Sequence, residues 1–277
     1  KEGIVTDQVR QKRLKELMRF KTSKTEEGEL IGLEDYVNRM KGGQEKIYYL
    51  VGEDLDLMKN SPHLGHYRKE ELEVILFDKP IDNFLMMHVN NYTQKEGEGE
   101  EEEIKMYEFT PIDTAEAGRE AKEGEEEEEE EEEKWISEDM KKFLNQVKEI
   151  LGEKILDAKI SERLYDYPCR LANPADGTSS SQQRAMRYWT QTNLGEEFQV
   201  PKRILEFNPE HPMIKELVNI NEKEPSSDLI EPVVTQLFEN CLLSEGDLPN
   251  PASMVPRINQ LLEILLTGKQ ESSPKEE

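Results

Sequence analysis

Residues 96–133 hold twenty acidic side chains against three basic ones, Lys105, Arg119 and Lys122, and Glu125 to Glu133 is unbroken glutamate. Like charges at this density repel one another, and i, i+4 repulsion opposes a helix in isolation. The zone therefore divides the 277-residue chain, and its glutamate patch reads as a disordered linker or a frayed extension of the next helix. Its middle differs: Ile104 to Ile112 (IKMYEFTPI) alternates enough to predict a short strand belonging to the first domain. The expected boundaries are 1–95, an acidic linker at 96–133 with that strand at 104–112, and 134–277.

Of the net charge of −25, −17 falls in the zone, so the other 239 residues carry an ordinary −8. An acidic balance repels phosphate backbones, which argues against nucleic acid as a partner. No run of eighteen apolar residues is present, which argues against a membrane helix. Two cysteines cannot build a disulfide scaffold and point to a reducing compartment, hence a cytoplasmic location. The chain begins at Lys1 with no apolar targeting segment behind it, which reads as a piece of a longer protein.

Before the linker the pattern is α/β. Val9, Leu14, Leu17, Met18 and Phe20 predict a helix over 8–20, and 33–40 another. Ile47 to Val51 is a buried strand closed by Gly52, 54–60 suits a helix, and 72–77 (LEVILF) is a second buried strand. Asp82 is expected to cap a helix bearing Phe84, Leu85, Met87 and His88. Strand, helix, strand at this spacing is a βαβ unit, so a small parallel sheet is expected. After the linker an α+β domain is expected. It has helices over 141–151, 179–190 and 211–219, and strands over 158–164, 169–172 and 203–207.

Two apolar helices end the pattern. The first, 228–244, begins at Asp228 with Glu231 at capping-box spacing and carries the row Ile230, Val234, Phe238 and Leu242. The second, 253–267, carries Ile258, Leu261, Leu262 and Leu265, with Pro256 either in its first turn or at a kink. Such a pair either packs on its own domain or completes a four-helix bundle with a second copy; the bundle is expected, with both rows meeting their symmetry mates at the dimer interface.

The residues offer no chemistry of their own. His63 and His66 stand three apart without a third ligand and read as surface or capping histidines. The glycines form neither GxGxxG nor GxxxxGK[ST], and Gly42-Gly43 reads as a helix stop. No GxSxG occurs, and Cys169 and Cys241 form no CxxC. No catalytic, cofactor or metal residue is assigned.

Several stretches in order are nonetheless recognisable. LEDYVNRMKGGQEKIYYL (33–50), the run from Ser61 to LEVILFDKPIDNFLMM, SERLYDYPC (161–169), ILEFNPEHP (204–212) and NPASMVPRINQLLEILL (250–266) resemble the heat shock protein 90 chaperones. The likeness is to their bacterial, HtpG-like branch, and to the end of the middle domain plus the C-terminal dimerisation domain. The resemblance implies a constitutive homodimer and part of a surface for unfolded client proteins. It implies ATP and magnesium in the parent protein, bound upstream of Lys1, and no cofactor here. It places client contact at Phe84, Met87, Met186, Tyr188 and Trp189, although Gln182 departs from an apolar family position. The end ESSPKEE lacks the eukaryotic MEEVD peptide, which favours the bacterial type. The competing expectation, resting on the glutamates alone, is a non-catalytic acidic module such as a histone-binding protein.

Overall fold

The β-branched and aromatic run at 46–51 forms the middle of a five-stranded sheet. In this computed structural model, the described residues are 1–7, 9–96, 103–115, 136–161, 163–174, 183, 185–186 and 202–267. They fall into two units, Lys1–Gly118 with Asn173–Pro201, and Arg119–Ala172 with Lys202–Glu277.

The first unit begins with short helices α1 (Glu2–Thr6) and α2 (Gln11–Glu16), then β1 (Lys21–Thr22) and α3 (Leu33–Asn38). Strand β2 (Lys46–Val51) leads through α4 (Leu55–Lys59) and α5 (Leu64–Lys69) to β3 (Ile75–Phe77). Helix α6 (Pro80–Met86) precedes the hairpin of β4 (Asn91–Glu96) and β5 (Glu103–Pro111). The sheet order is β1-β3-β2-β5-β4. β2 pairs in parallel with β3 (Tyr49↔Ile75) and with β5 (Ile47↔Phe109), so the centre is the expected βαβ unit. The sheet is mixed rather than parallel, because β1 and β4 pair antiparallel at its two edges.

Alternation along β2 builds two cores. Ile47, Tyr49 and Val51 join Ile75, Phe77, Tyr107 and Phe109 beneath Leu33, Tyr36 and Leu85. On the opposite face Leu50 and Leu76 meet Met58, Leu64, Tyr67 and Ile112. Gly52 closes β2 where a Cβ would stand 2.4 Å from the buried Met58 Cγ, so no larger residue fits without displacement.

Three expectations need correcting here. The helix expected over 8–20 shortens to Gln11–Glu16: the chain leaves α2 after Glu16 so that Phe20 can bridge to Ile31, and Val9 and Leu17 stand exposed on either side. The strand at 72–77 pairs only from Ile75, because Ser23 takes both polar groups of Val74, donating N–H to its carbonyl and accepting its N–H at Oγ. Asp82 does cap α6, but from the first turn rather than from the position before it: its carboxylate reaches back to accept the Lys79 N–H at 3.2 Å, the N3 half of a capping box.

The second unit begins with α7 (Glu138–Leu151), capped by Ser137 Oγ, which accepts the Met140 N–H, and closed by Gly152 at φ 49°. Strands β6 (Asp157–Ile160), β7 (Cys169–Ala172) and β8 (Ile204–Phe207) make a sheet of order β6-β8-β7. β8 lies central, parallel to β6 and antiparallel to β7. Helices α8 (Pro212–Lys223) and α9 (Ile230–Ser244), a 3-10 turn (Pro251–Met254) and α10 (Val255–Thr267) follow. Phe143 and Val147 of α7, Phe207 of β8, Ile214 and Leu217 of α8 and Val234 of α9 meet in one core, with the Phe143 and Phe207 rings edge to face at 5.5 Å. Arg203 ties the residues after α9 to the sheet through Glu245 and through Asp247 at 2.8 Å.

Here too two expectations change. The strand at 158–164 ends at Ile160 because β8 runs out at Phe207, whose carbonyl takes the Ser161 N–H. The cap at Asp228 is absent: α9 starts at Ile230 with Leu229 at its N-cap, and the exposed Asp228 lies in the preceding turn, where Ile230 N–H bonds to Ser227 carbonyl. The helix expected at 179–190 lies outside the described residues except for Gln183, Ala185 and Met186, which are helical.

Candidate functional site

The 3-10 turn buries Met254, and α10 then starts at Val255 with Pro256 in its first turn, where the missing N–H costs nothing. From there no residue of the helix is buried. Ile258, Leu262, Leu265 and Leu266 are 37%, 49%, 77% and 84% exposed, and Leu261 is half-buried. Arg257 anchors α10 to α9: its Nε donates to Gln236 Oε1 at 3.1 Å and its guanidinium pairs with the Glu239 carboxylate. The helix is thus held at its start and leaves a leucine-rich row uncovered.

α9 is placed differently. Ile230, Val234 and Phe238 are buried in the core of their own unit, against α7 and the sheet. Leu242 packs on that core from its edge, and Leu243 beside it is exposed. Periodicity ranked α9 and α10 alike, whereas the fold covers one apolar row and leaves the other open.

Of the expected client residues, Phe84, Met87 and Met186 are described, and these lie in the first unit. Phe84 on α6 is half-buried, and Met87, which follows α6, is exposed. Phe84 and Met87 stand three apart, joined by the Met87 N–H donating to the Phe84 carbonyl at 3.3 Å. Met186 is 56% exposed beside the buried Ala185. Tyr188 and Trp189 lie outside the described residues.

Beneath α6, the Asp82 carboxyl is fully buried and pairs with Lys1 Nζ at 2.6 Å. Burial pushes its pKa up against the opposing pull of Lys1. The histidines take structural places. His63 stands at the N-cap of α5, without a side-chain cap bond, and is buried rather than at the surface. His88 Nδ1 lies 2.9 Å from the Phe84 carbonyl, and His211 Nδ1 accepts the Met213 N–H at the start of α8. Among the described residues no group of three or more His, Cys, Asp or Glu could hold a metal, and no helix is long and apolar enough to cross a membrane. One pair that sequence spacing hid is brought together: Cys169 and Cys241, 72 residues apart, meet at 3.5 Å. No local signal could have revealed it.

Comparison with known proteins bears on these surfaces. The family profile described as Hsp90 protein matches residues 1–277. The chaperone protein HtpG of Chlorobaculum tepidum is 34% identical over 262 residues, covering 94% of this chain and 38% of that protein. The HtpG of Nitrosospira multiformis is 35% identical over 273 residues, covering 98% and 38%. The endoplasmin homolog of Hordeum vulgare is 29% identical over 278 residues, covering 99% and 32%. The chain thus spans about a third of the length of the curated relatives it matches. With the profile spanning every residue and HtpG relatives above 30% identity along nearly all of it, the chain belongs to the Hsp90 protein family.

Proposed function

We propose that this chain is the dimerising and client-contacting part of an ATP-dependent chaperone. The observation that carries the reading is α10, whose row of Ile258, Leu262 and Leu265 is left exposed by the described residues. A two-fold axis sets the same row from a second copy against it, and α9 with α10 from each chain makes four helices. In this arrangement Leu261 and Leu242 flank the contact, while Ile230, Val234 and Phe238 hold α9 firm from beneath. Full burial of a leucine-sized side chain contributes about 1.5–3 kcal/mol. Several per chain offset an association cost of about 4–15 kcal/mol. Phe84, Met87, Met186, Tyr188 and Trp189 supply apolar contacts for partly folded client proteins. Nucleic acid and membranes are not partners, and the setting is the cytoplasm.

ATP and magnesium belong to other parts of the parent protein. The residues here do not fit a nucleotide: the glycines form no phosphate loop, and no metal-holding cluster occurs among the described residues. No nucleotide step is therefore assigned to this chain, and the purified chain is expected not to turn over ATP.

Sedimentation tests the reading. At on the order of tens of micromolar the wild type is expected to sediment as a dimer and Leu262→Glu as a folded monomer with unchanged circular dichroism. A wild-type monomer refutes the dimer, and an unfolded Leu262→Glu chain makes Leu262 a core residue. Serine at Met87 and Met186 is expected to weaken suppression of client aggregation without loss of fold. Unchanged suppression places client contact elsewhere.

A further inference from the structure

Cys169 opens β7 and Cys241 lies in the last turns of α9, so the two thiols stand between the sheet and the helix that covers it. Both side chains are buried and unbridged, with Sγ atoms 3.5 Å apart. Cys169 Sγ also lies 3.8 Å from the Leu237 carbonyl, one turn before Cys241. Leu171, Phe207, Leu237 and Phe238 belong to the same core, and the Arg203–Glu245 ion pair lies close enough to act on Cys241. The neighbouring thiol and burial hold the Cys241 thiol well above its ordinary pKa. Thiolate is therefore scarce, and bulky or charged reagents have no approach, so the pair rests reduced and fills space as a small hydrophobe.

We propose that Cys169 and Cys241 form a reversible intramolecular disulfide when the chain meets hydrogen peroxide, stitching α9 to the edge of the sheet. A disulfide needs the sulfurs at about 2.05 Å, a closure of about 1.5 Å from the separation seen. Peroxide is small and uncharged, which suits a buried site. One thiol first gives up its proton, and the small population of thiolate so formed attacks a peroxide oxygen, the departing hydroxide taking that proton. The O–O bond breaks, a sulfenic acid forms and water leaves. The second sulfur attacks the sulfenic sulfur, the S–S bond forms and a second water leaves with the remaining thiol proton. The two thiols lose two electrons and the peroxide gains them. A small thiol reverses the bond by exchange, releasing both cysteines and becoming a small disulfide. The cross-link closes a long loop and fastens α9, which in turn holds α10 through Gln236 and Glu239. This inference stands on the second unit alone and is independent of the chaperone reading.

The test treats the full chain with hydrogen peroxide in native buffer, then denatures it, alkylates with N-ethylmaleimide and measures intact mass. The expected product is about 2 Da lighter than the untreated chain, takes up no maleimide, maps to a Cys169–Cys241 peptide and reverts with dithiothreitol. The linked protein is expected to melt roughly 5–15 °C higher than the same sample after reduction. Two maleimides per chain after peroxide, sulfinic acid at either cysteine, or a link between chains overturns the proposal. So does a linked species that melts no higher than the reduced one.

Discussion

Gly52 ends the central strand where any Cβ would press on Met58 Cγ, and Met58 is itself packed in the core. Gly52→Ala is therefore expected to destabilise the first unit by about 1–3 kcal/mol, measured as a lower denaturant midpoint at unchanged slope. Asp82 shows a different residue-level cost. Burial raises its carboxyl pKa although Lys1 lies beside it, so the folded state binds the proton more tightly than the unfolded chain. That contribution to stability grows as pH falls from neutral through the raised pKa, and is lost as pH rises through it. Asp82→Asn removes the titration. The stability of the wild type relative to this variant is expected to increase between neutral pH and the ordinary carboxylate range, read from paired urea midpoints. A constant difference across that window would leave Asp82 without a titrating role.

At the scale of elements, α9 and α10 share a composition and differ in cover. Phe238 sits in the core of its unit and Leu265 stands in solvent. Phe238→Ala is expected to cost about 3–5 kcal/mol of unfolding free energy. Leu265→Ala, measured dilute enough to keep the chain monomeric, is expected to stay within about 0.5 kcal/mol of wild type. Equal losses would mean that both helices are core. The spacing of Leu, Ile and Val made both helices legible, and Pro256 in the first turn agreed with the start of α10. The hidden part was which row is covered, because a 3.6-residue period marks an apolar face without naming its neighbour. The cap at Asp228 failed for a related reason. A capping-box spacing is necessary but not sufficient, and the turn through Ser227 had already redirected the backbone.

For the whole molecule, the acidic zone is less uniform than its charge. Residues 103–111 form β5, which pairs with β2 on one side and β4 on the other, while 116–133 carry a net −10. Deleting 103–111 removes a paired strand and is expected to unfold the first unit. Deleting 116–133 is expected to leave the circular dichroism unchanged and to tighten self-association at low salt, because two copies then repel each other less. Sedimentation at low and at physiological ionic strength reads this. A deletion variant with the salt dependence of wild type would show that the run does not act on self-association.

The amino-acid sequence by itself determined the elements whose signal is local. The continuous apolar, aromatic and β-branched run at 47–51 made a strand, Asp54 and Ser137 capped their helices through their own side chains, and Gly152 stopped α7 at positive φ. It also carried the family, because separate motifs such as LEDYVNRMKGGQEKIYYL keep their order along the chain. Tertiary structure alone decided what depends on neighbours distant in sequence. The antiparallel edges β1 and β4 turned the expected parallel sheet into a mixed one. Packing on α7 and the sheet withdrew Ile230, Val234 and Phe238 from the surface while α10 stayed open. The approach of Cys169 to Cys241 belongs to the same class, since local spacing carries no information about which side chains meet across a core.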